Sequence, residues 1–169
     1  MRLYDVERIN SYVLKGPGSE SRWTWLGAVS DDGYGRFWIT TAEGQRAAGS
    51  HRFALALVFG GLDSIERSTA LHHCDIPLCV EATSDPEAHL TLGTRSDNML
   101  DRAMKGRLSS VTALRWRRLT RAERAAQSRA LRDELTQRGW DHDVIRELVH
   151  GIDHPSRSVL TRREDDGGD

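Results

Sequence analysis

The chain lacks long apolar runs, and aromatic residues make up only 7% of its 169 residues. No stretch approaches the roughly 18 apolar residues that a membrane-spanning helix needs. No apolar stretch follows Met1 to Asp5, as it would in a signal peptide. The sequence therefore predicts neither a membrane protein nor a secreted one. Its composition is typical of one compact domain, or of a small core with an appendage.

Acidic residues are scarce between residues 102 and 132. This segment contains one acid, Glu123, although the net charge of the whole chain is −1. A basic block of this kind indicates a polyanionic partner, because each phosphate contact releases condensed counterions. A solvated helix face is the alternative. The basic residues of the block are Arg102, Lys105, Arg107, Arg115, Arg117, Arg118, Arg121, Arg124, Arg129 and Arg132.

The first half of the chain shows the signals of strands and of one buried helix. Segments 23–29 and 34–41 flank a turn signal at residues 31–33 and predict an antiparallel hairpin. The continuous apolar residues of segment 50–59 predict a buried helix. Ser50 is its expected N-cap, and the glycine pair that follows the segment is its expected end.

The second half predicts two short strands, within residues 68–92, and then helices. Two segments carry the residues of a capping box, in which a hydroxyl and an acid three positions apart bind each other's backbone N–H groups. Three helices are expected: one from Thr94 and Asp97 to Gly106, one from Thr120 and Glu123 to Gly139, and a short one from Asp141 to Gly151.

The two cysteines, Cys74 and Cys79, are close together in the sequence. A disulfide across this short loop and a metal site are both consistent with the spacing, and metal binding is the commoner use inside cells. With His89, the cysteines offer three ligands that suit tetrahedral Zn²⁺. His72 lies just before this loop and Asn98 opens the helix after it. This order is typical of a one-metal nuclease site.

A series of short motifs occurs between residues 20 and 107. The motifs are Trp23-x-Trp25-x-Gly27, Gly33 to Phe37, Ser50 to Arg52, His72-x-Cys74-x4-Cys79, His89-Leu90, Gly93-Thr94, Asn98, Asp101 and Lys105 to Arg107. In this order they resemble the His-Me finger (ββα-metal) endonucleases, and among them the zinc-stapled HNH and His-Cys box homing endonucleases of phages and introns. The resemblance implies an α+β fold. A ββα-metal core would follow an antiparallel hairpin and a buried helix, and a helical hairpin would end the fold.

The resemblance also implies a role for each site residue. His72 would be the general base that takes a proton from the attacking water. Asn98 would hold one catalytic Mg²⁺ through its amide oxygen. Arg36 would contact the phosphate with its planar guanidinium. A structural zinc would be held by Cys74, Cys79 and His89.

One zinc ligand of the family is replaced in this chain. Related proteins usually have a cysteine directly before Trp-x-Trp as the fourth zinc ligand, and here that position is Arg22, which cannot bind a metal. The fourth place falls to His51, to Asp85 of the long loop before His89, to water, or to no ligand. His51 could instead support the active site.

The resemblance and the basic block divide the chain into three predicted segments. Residues 1–107 would be the nuclease domain, 108–152 a basic linker with a helical arm, and 153–169 a disordered tail. The arm has the outline of a helix-turn-helix, but the acids of its second helix make it a poor groove reader. We expect it to contact phosphates and to serve in docking or dimerisation. The expected DNA-binding residues are Arg36, Arg102, Lys105, Arg107, Arg115, Arg117, Arg118 and Arg121.

The sequence therefore predicts a Mg²⁺-dependent endonuclease that cuts double-stranded DNA and leaves a 3′ hydroxyl and a 5′ phosphate. It would act as a homodimer or as a nicking monomer in the cytoplasm, which is that of the bacterial host if a phage encodes it. The alternative is a zinc-containing DNA-binding protein without catalysis. In purely structural terms, His72 would be a strand histidine packed on Trp25 or Phe37, Asn98 a helix-start residue and Arg36 an exposed strand residue.

Overall fold

The computed structural model describes residues 3–18, 22–85, 88–107, 116 and 118–150. The predicted α+β class is confirmed, since short strands and helices alternate along the chain. The predicted helix end at Gly151 and the predicted disordered tail lie outside the described residues. The elements are α1 (Leu3–Asn10), β1 (Val13–Lys15), β2 (Trp23–Trp25), β3 (Arg36–Thr41), β4 (Gly44–Gly49), α2 (Ser50–Val58), a 3₁₀ turn (Asp63–Ile65), β5 (Thr69–His72), β6 (Leu90–Gly93), α3 (Arg95–Arg107), α4 (Arg121–Arg138) and α5 (His142–Val144), which continues as a π-helical turn (Ile145–His150).

The strands pair as antiparallel hairpins: β1 with β2, β3 with β4, and β5 with β6. The predicted pairing of 23–29 with 34–41 is confirmed only near its turn, where Val29 and Gly35 form an isolated antiparallel bridge and the Arg36 N–H donates to the Ala28 carbonyl at 2.7 Å. Farther along, β2 pairs with β1 and β3 pairs with β4, so the longer predicted hairpin is wrong. A tight turn after Thr41 lets β3 pair with the adjacent β4 instead. Asp32 accepts hydrogen bonds from the Ser30 hydroxyl and the Tyr34 N–H, which closes the earlier loop on itself.

The predicted buried helix is confirmed as α2, but its start differs from the prediction. Gly49 occupies the N-cap position and makes no side-chain cap bond, and Ser50 is the first helical residue. The expected glycine stop is confirmed. Gly60 and Gly61 both have positive φ angles, +87° and +131°, and the Gly61 N–H donates to the Ala56 carbonyl at 2.7 Å.

Both predicted capping boxes are confirmed. The Thr94 N–H donates to the Asp97 carboxylate at 2.7 Å, and the Asp97 N–H donates to the Thr94 hydroxyl at 3.1 Å. Thr120 and Glu123 make the same exchange at the start of α4. α4 ends at Gly139, which has a positive φ angle of +73°. The Asp141 carboxylate accepts from the backbone of the short helix α5, as expected.

One hydrophobic cluster connects the two halves of the chain. Trp25 and Phe37 meet edge to face in it, with ring centroids 5.7 Å apart. The C-terminal helices share this cluster, so the helical arm packs on the same core as the sheets. Members of the cluster include Phe53, Leu55, Ile65, Leu78, Leu90, Leu131, Leu135, Val144, Ile145 and Val149. Among the described residues, no helix combines the length and apolar character that a membrane crossing requires.

Candidate active site

The end of β5 and the first turn of α3 meet at one place. His72 is the last residue of β5 and pairs with Leu90 of β6. The chain leaves β6 through the Thr94 capping box, and Asn98 follows in α3, where its N–H donates to the Thr94 carbonyl at 3.1 Å. His72 and Asn98 line one cleft of about 450 Å³. The fold thus brings together the two residues that the sequence indicates for catalysis.

Charged side chains share this cleft, which we call the Asn98 cleft. Asp101 lies three positions after Asn98 on α3, so the two residues lie on the same helix face. Carboxylate and amide oxygens are the ligands that Mg²⁺ prefers. In the sequence, Asp101 stands out only as part of a motif. The other lining residues are Tyr34, Ala70, Asp75, Pro77, Arg102, Trp116 and Arg124.

A second cleft, the Arg36 cleft, has a volume of about 410 Å³ and also reaches His72. Arg36 is exposed at the start of β3. Its guanidinium lies 5.4 Å from the ring centroid of the exposed Trp38. Tyr34, Ala70 and His72 line both clefts. His72 therefore lies where the two clefts meet, with Arg36 in one and both Arg102 and Arg124 in the other.

His51 packs beside His72. Their ring centroids are 5.3 Å apart, and the His51 and Tyr34 rings are 5.2 Å apart. Burial lowers the pKa of His51 to about 3, with smaller contributions from the neighbouring His72 and Arg52, so its ring is neutral at physiological pH. Among the described residues, its buried Nδ1 has no hydrogen-bond partner. Of the two roles considered for His51, this position fits support of His72 better.

Cys74, Cys79 and His89 form a compact group whose candidate ligand atoms all lie within 4.8 Å of one another. Both cysteines are free thiols. The pKa of Cys74 lies well below its ordinary value, mainly because the Cys79 thiol donates a hydrogen bond to it. Interactions with His72 and His89 lower this pKa further. The hydrogen bond to Cys74 raises the pKa of His89. The chemistry of these donors suits a thiophilic cation such as Zn²⁺.

Backbone contacts hold the loop that carries the cysteines. The Trp25 N–H donates to the Leu78 carbonyl at 2.8 Å, and the Val80 N–H donates to the Trp23 carbonyl at 2.9 Å. On the other side, the His73 N–H donates to the His89 carbonyl at 2.9 Å. The loop therefore bridges β2 and β6, and the Trp-x-Trp motif fixes the position of Cys79.

The surroundings of His89 contain Glu81, to which the sequence gave no role, and Arg22, which stands where the resembled family has its fourth zinc ligand. Glu81 Oε2 lies 3.1 Å from His89 Nδ1, although the two atoms are not aligned for a hydrogen bond. Burial raises the pKa of Glu81, and the charges of His89 and Arg22 oppose that rise. The Nε of Arg22 is buried and, among the described residues, has no hydrogen-bond partner. Within the described chain, no fourth cysteine, histidine or acid joins the three-ligand group, and Asp85 is exposed.

The basic residues expected to bind DNA are spread over several places. Arg102 lines the Asn98 cleft, and Arg118 is exposed. Arg121 forms an ion pair with Asp31 at 2.8 Å. The side chains of Lys105, Arg107, Arg115 and Arg117 lie outside the described part of the structure. Arg124 lines the same cleft as Asn98, although sequence reasoning gave it no role beyond membership of the basic block.

Comparisons with known proteins find two similar proteins of a bacteriophage. No family model matches the chain, and no solved structure matches it. The chain is 36% identical to Protein 2.8 of Escherichia phage T7 over 89 residues. The matched region covers 53% of this chain and 54% of the relative. It is also 34% identical to Protein 7.7 of the same phage over 83 residues. That matched region covers 49% of this chain and 55% of the relative. The chain thus spans about half the length of the curated relatives that it matches.

Proposed function

We propose that the protein is a Mg²⁺-dependent DNA endonuclease with a ββα-metal core made of β5, β6 and α3. The observation that carries the proposal is the cleft that His72 and Asn98 share. A base at a strand end and an oxygen ligand on the following helix are the two groups that one-metal phosphodiester hydrolysis needs. The phage relatives are in keeping with an enzyme that acts on DNA in a bacterial host.

In the proposed reaction, His72 takes a proton from the water that attacks the phosphorus of a DNA phosphodiester. The water oxygen bonds to phosphorus, the bond between phosphorus and the 3′ oxygen breaks, and the 3′ oxygen takes a proton from solvent water, which leaves a 3′ hydroxyl and a 5′ phosphate. Tyr34 and His51 pack against the His72 ring and limit its rotation. Because His51 is neutral, it does not add a positive charge beside His72 when His72 becomes protonated.

Arg36 binds the phosphate in this proposal. Its exposed guanidinium lies at the Arg36 cleft, which reaches His72, and its planar fork can donate two parallel hydrogen bonds to phosphate oxygens. Arg36 heads β3, whose pairing with Gly49 of β4 fixes the position of its backbone. The side chain can therefore meet a DNA strand while its strand stays in the sheet.

The donor atoms fit the two metals of the proposal. Asn98 and Asp101 offer oxygen ligands for Mg²⁺, which when bound would stabilise the charge on the phosphate and the leaving oxygen. Cys74, Cys79 and His89 offer the ligands of a structural Zn²⁺. A zinc there would tie the cysteine loop to the start of β6 and so hold the end of β5, where His72 lies.

Cleavage of supercoiled plasmid and of pooled phage and bacterial genomic DNA tests the proposal. We expect the wild-type protein to cut in low salt with Mg²⁺, and His72→Ala and Asn98→Ala to lose cutting. His73→Ala is the matched control, since His73 is exposed and binds Thr91 at 3.0 Å; it should cut like the wild type. Equal cutting by His72→Ala and the wild type would contradict the assignment of the base.

The metal requirement needs a separate arm, because a chelator removes both metals. We expect protein that keeps its zinc, as measured by elemental analysis, to stop cutting when Mg²⁺ alone is left out and to resume when it is added back. If the zinc-loaded wild type binds DNA and cuts none of the pools, the protein is a zinc-containing DNA-binding protein instead.

A further inference from the structure

We infer that Arg124, on the C-terminal helix α4, binds a second DNA phosphate in the Asn98 cleft. The inference rests on the proposed nuclease function and extends it to the helical arm. Arg124 lines this cleft together with His72 and Asn98, although it lies on a different element from either. The ligand class is the phosphodiester backbone of the DNA strand that crosses His72.

The position of Arg124 is fixed by contacts between α4 and the loop before β3. Arg121 forms its ion pair with Asp31 at 2.8 Å, and Arg129 Nη2 lies 3.5 Å from the Ser30 carbonyl oxygen. Gly33 packs directly on the helix, because a Cβ there would lie 3.0 Å from both the backbone oxygen and the Cγ of Arg124. α4 therefore presents Arg124 beside Tyr34, the neighbour of Gly33 that lines both clefts.

The guanidinium of Arg124 has capacity for a ligand. In the described chain it donates one long hydrogen bond, 3.4 Å, to the Leu119 carbonyl, and no carboxylate there forms an ion pair with it. Arg132 and Arg138 on the same helix each pair with an acid, Asp133 at 2.7 Å and Glu134 at 3.1 Å. Arg124 therefore retains donors that suit a phosphate group.

A second residue of the same cleft, Trp116, carries a hydrogen-bond donor. Trp116 is 2% exposed and lines the Asn98 cleft. Its indole Nε1 has no hydrogen-bond partner among the described residues, and buried N–H groups rarely stay without one. An anionic ligand in this cleft would meet the guanidinium of Arg124, with the Trp116 side chain as part of the same wall.

The two clefts indicate the path that the DNA strand would follow. They share His72, with Arg36 in one and Arg124 in the other. A strand whose scissile phosphate lies at His72, between Arg36 and Asn98, would place a neighbouring phosphate farther along the Asn98 cleft, beside Arg124. The C-terminal arm thus contributes to the substrate site itself, in addition to the basic face that the sequence indicates.

Salt-dependent binding of a short DNA duplex tests the inference. Fluorescence anisotropy would measure the binding constant over a range of salt concentrations, in the absence of Mg²⁺ so that no strand is cut. Loss of one phosphate contact should make the slope of log K against log salt less negative by about 0.9. We expect this change in Arg124→Ala, with roughly 10- to 100-fold weaker binding at low salt. Arg124→Lys, which keeps the charge, should retain most of the slope.

Arg138→Ala is the matched control, because Arg138 lies on the same helix and pairs with Glu134. The inference is overturned if Arg124→Ala has the salt slope of the wild type, or if Arg138→Ala reduces the slope as much as Arg124→Ala does. Melting temperature and zinc content confirm that each variant is folded, and Arg124→Met, which keeps the apolar stem, replaces Arg124→Ala if that variant is not. A wild type that binds DNA without cutting refutes the nuclease proposal alone, because the slope still reports on Arg124.

Discussion

For the substitution Ser50→Ala, the sequence and the structure predict opposite changes in the stability of the fold. The residue is completely buried at the start of α2. Its N–H donates to the Gly35 carbonyl at 2.8 Å, but within the described chain its hydroxyl has no hydrogen-bond partner. Space around the hydroxyl is short: a Cβ on Gly35 would lie 2.2 Å from Ser50 Oγ and 2.5 Å from Cδ1 of Trp25. A water molecule therefore has little room to satisfy it.

We expect Ser50→Ala to stabilise the protein by about 1 kcal/mol. A buried hydroxyl without a partner costs roughly 1–3 kcal/mol, and alanine removes it while keeping the Cβ. For a chain of this size the gain corresponds to a melting temperature about 2–4 °C higher. If Ser50 were the N-cap, as its place in the sequence suggests, the same change would instead destabilise by about 0.5–2 kcal/mol.

Urea unfolding followed by circular dichroism measures the difference. Thr120→Ala is the matched control, because the Thr120 hydroxyl accepts from the Glu123 N–H in a complete capping box; its loss should cost about 0.5–2 kcal/mol. Equal m-values for the wild type and the variants would show that each exposes the same surface on unfolding, so that their free energies of unfolding can be compared. A decrease in stability for Ser50→Ala would refute the reasoning, since it would mean that the hydroxyl has a partner.

Three further outcomes follow from the metal group and from a helix cap. Glu81→Gln should weaken zinc binding about 10- to 100-fold in a chelator competition, because a carboxylate beside a ligating imidazole raises its basicity; Asp85→Asn, at an exposed site, should not. Cys79→Ser should weaken zinc binding more than Glu81→Gln, and equal affinities would contradict membership of Cys79 in the ligand set. The backbone hydrogen bond from Thr94 lowers the pKa of Asp97, so its stabilising effect is present above about pH 4 and is lost as the pH falls further. Acid titration of unfolding stability should show a smaller decrease in that range for Asp97→Ala.

The starts of α3 and α4 could be predicted because their signals are local. Thr94 with Asp97 and Thr120 with Glu123 satisfy each other's backbone within one turn, whatever the rest of the chain does. The strand pairing could not be predicted in the same way. β3 had two neighbours in the sequence, and the outcome depended on whether the loop at Asp32 or the turn after Thr41 closed more tightly.

The candidate site shows the same division. One short segment contains His72, Cys74, Cys79 and His89, so the metal group could be anticipated from their spacing. Arg124 gave no such signal, because its approach to the cleft depends on how α4 packs on the loop at Gly33. Contacts between distant segments depend on the whole core, and a single sequence records them only indirectly.

The shared core has a consequence for the order of synthesis. A ribosome completes β5, β6 and the start of α3 well before it reaches α4, and domains form as the chain emerges. Yet Leu131 and Leu135 of α4 belong to the cluster that contains Trp25 and Leu90. The nascent chain therefore carries His72 and Asn98 before the hydrophobic core on which they rest is complete. Trp116 and Arg124 line the cleft, so its wall is complete only after α4 has left the ribosome, and the proposed activity would have to wait for that helix.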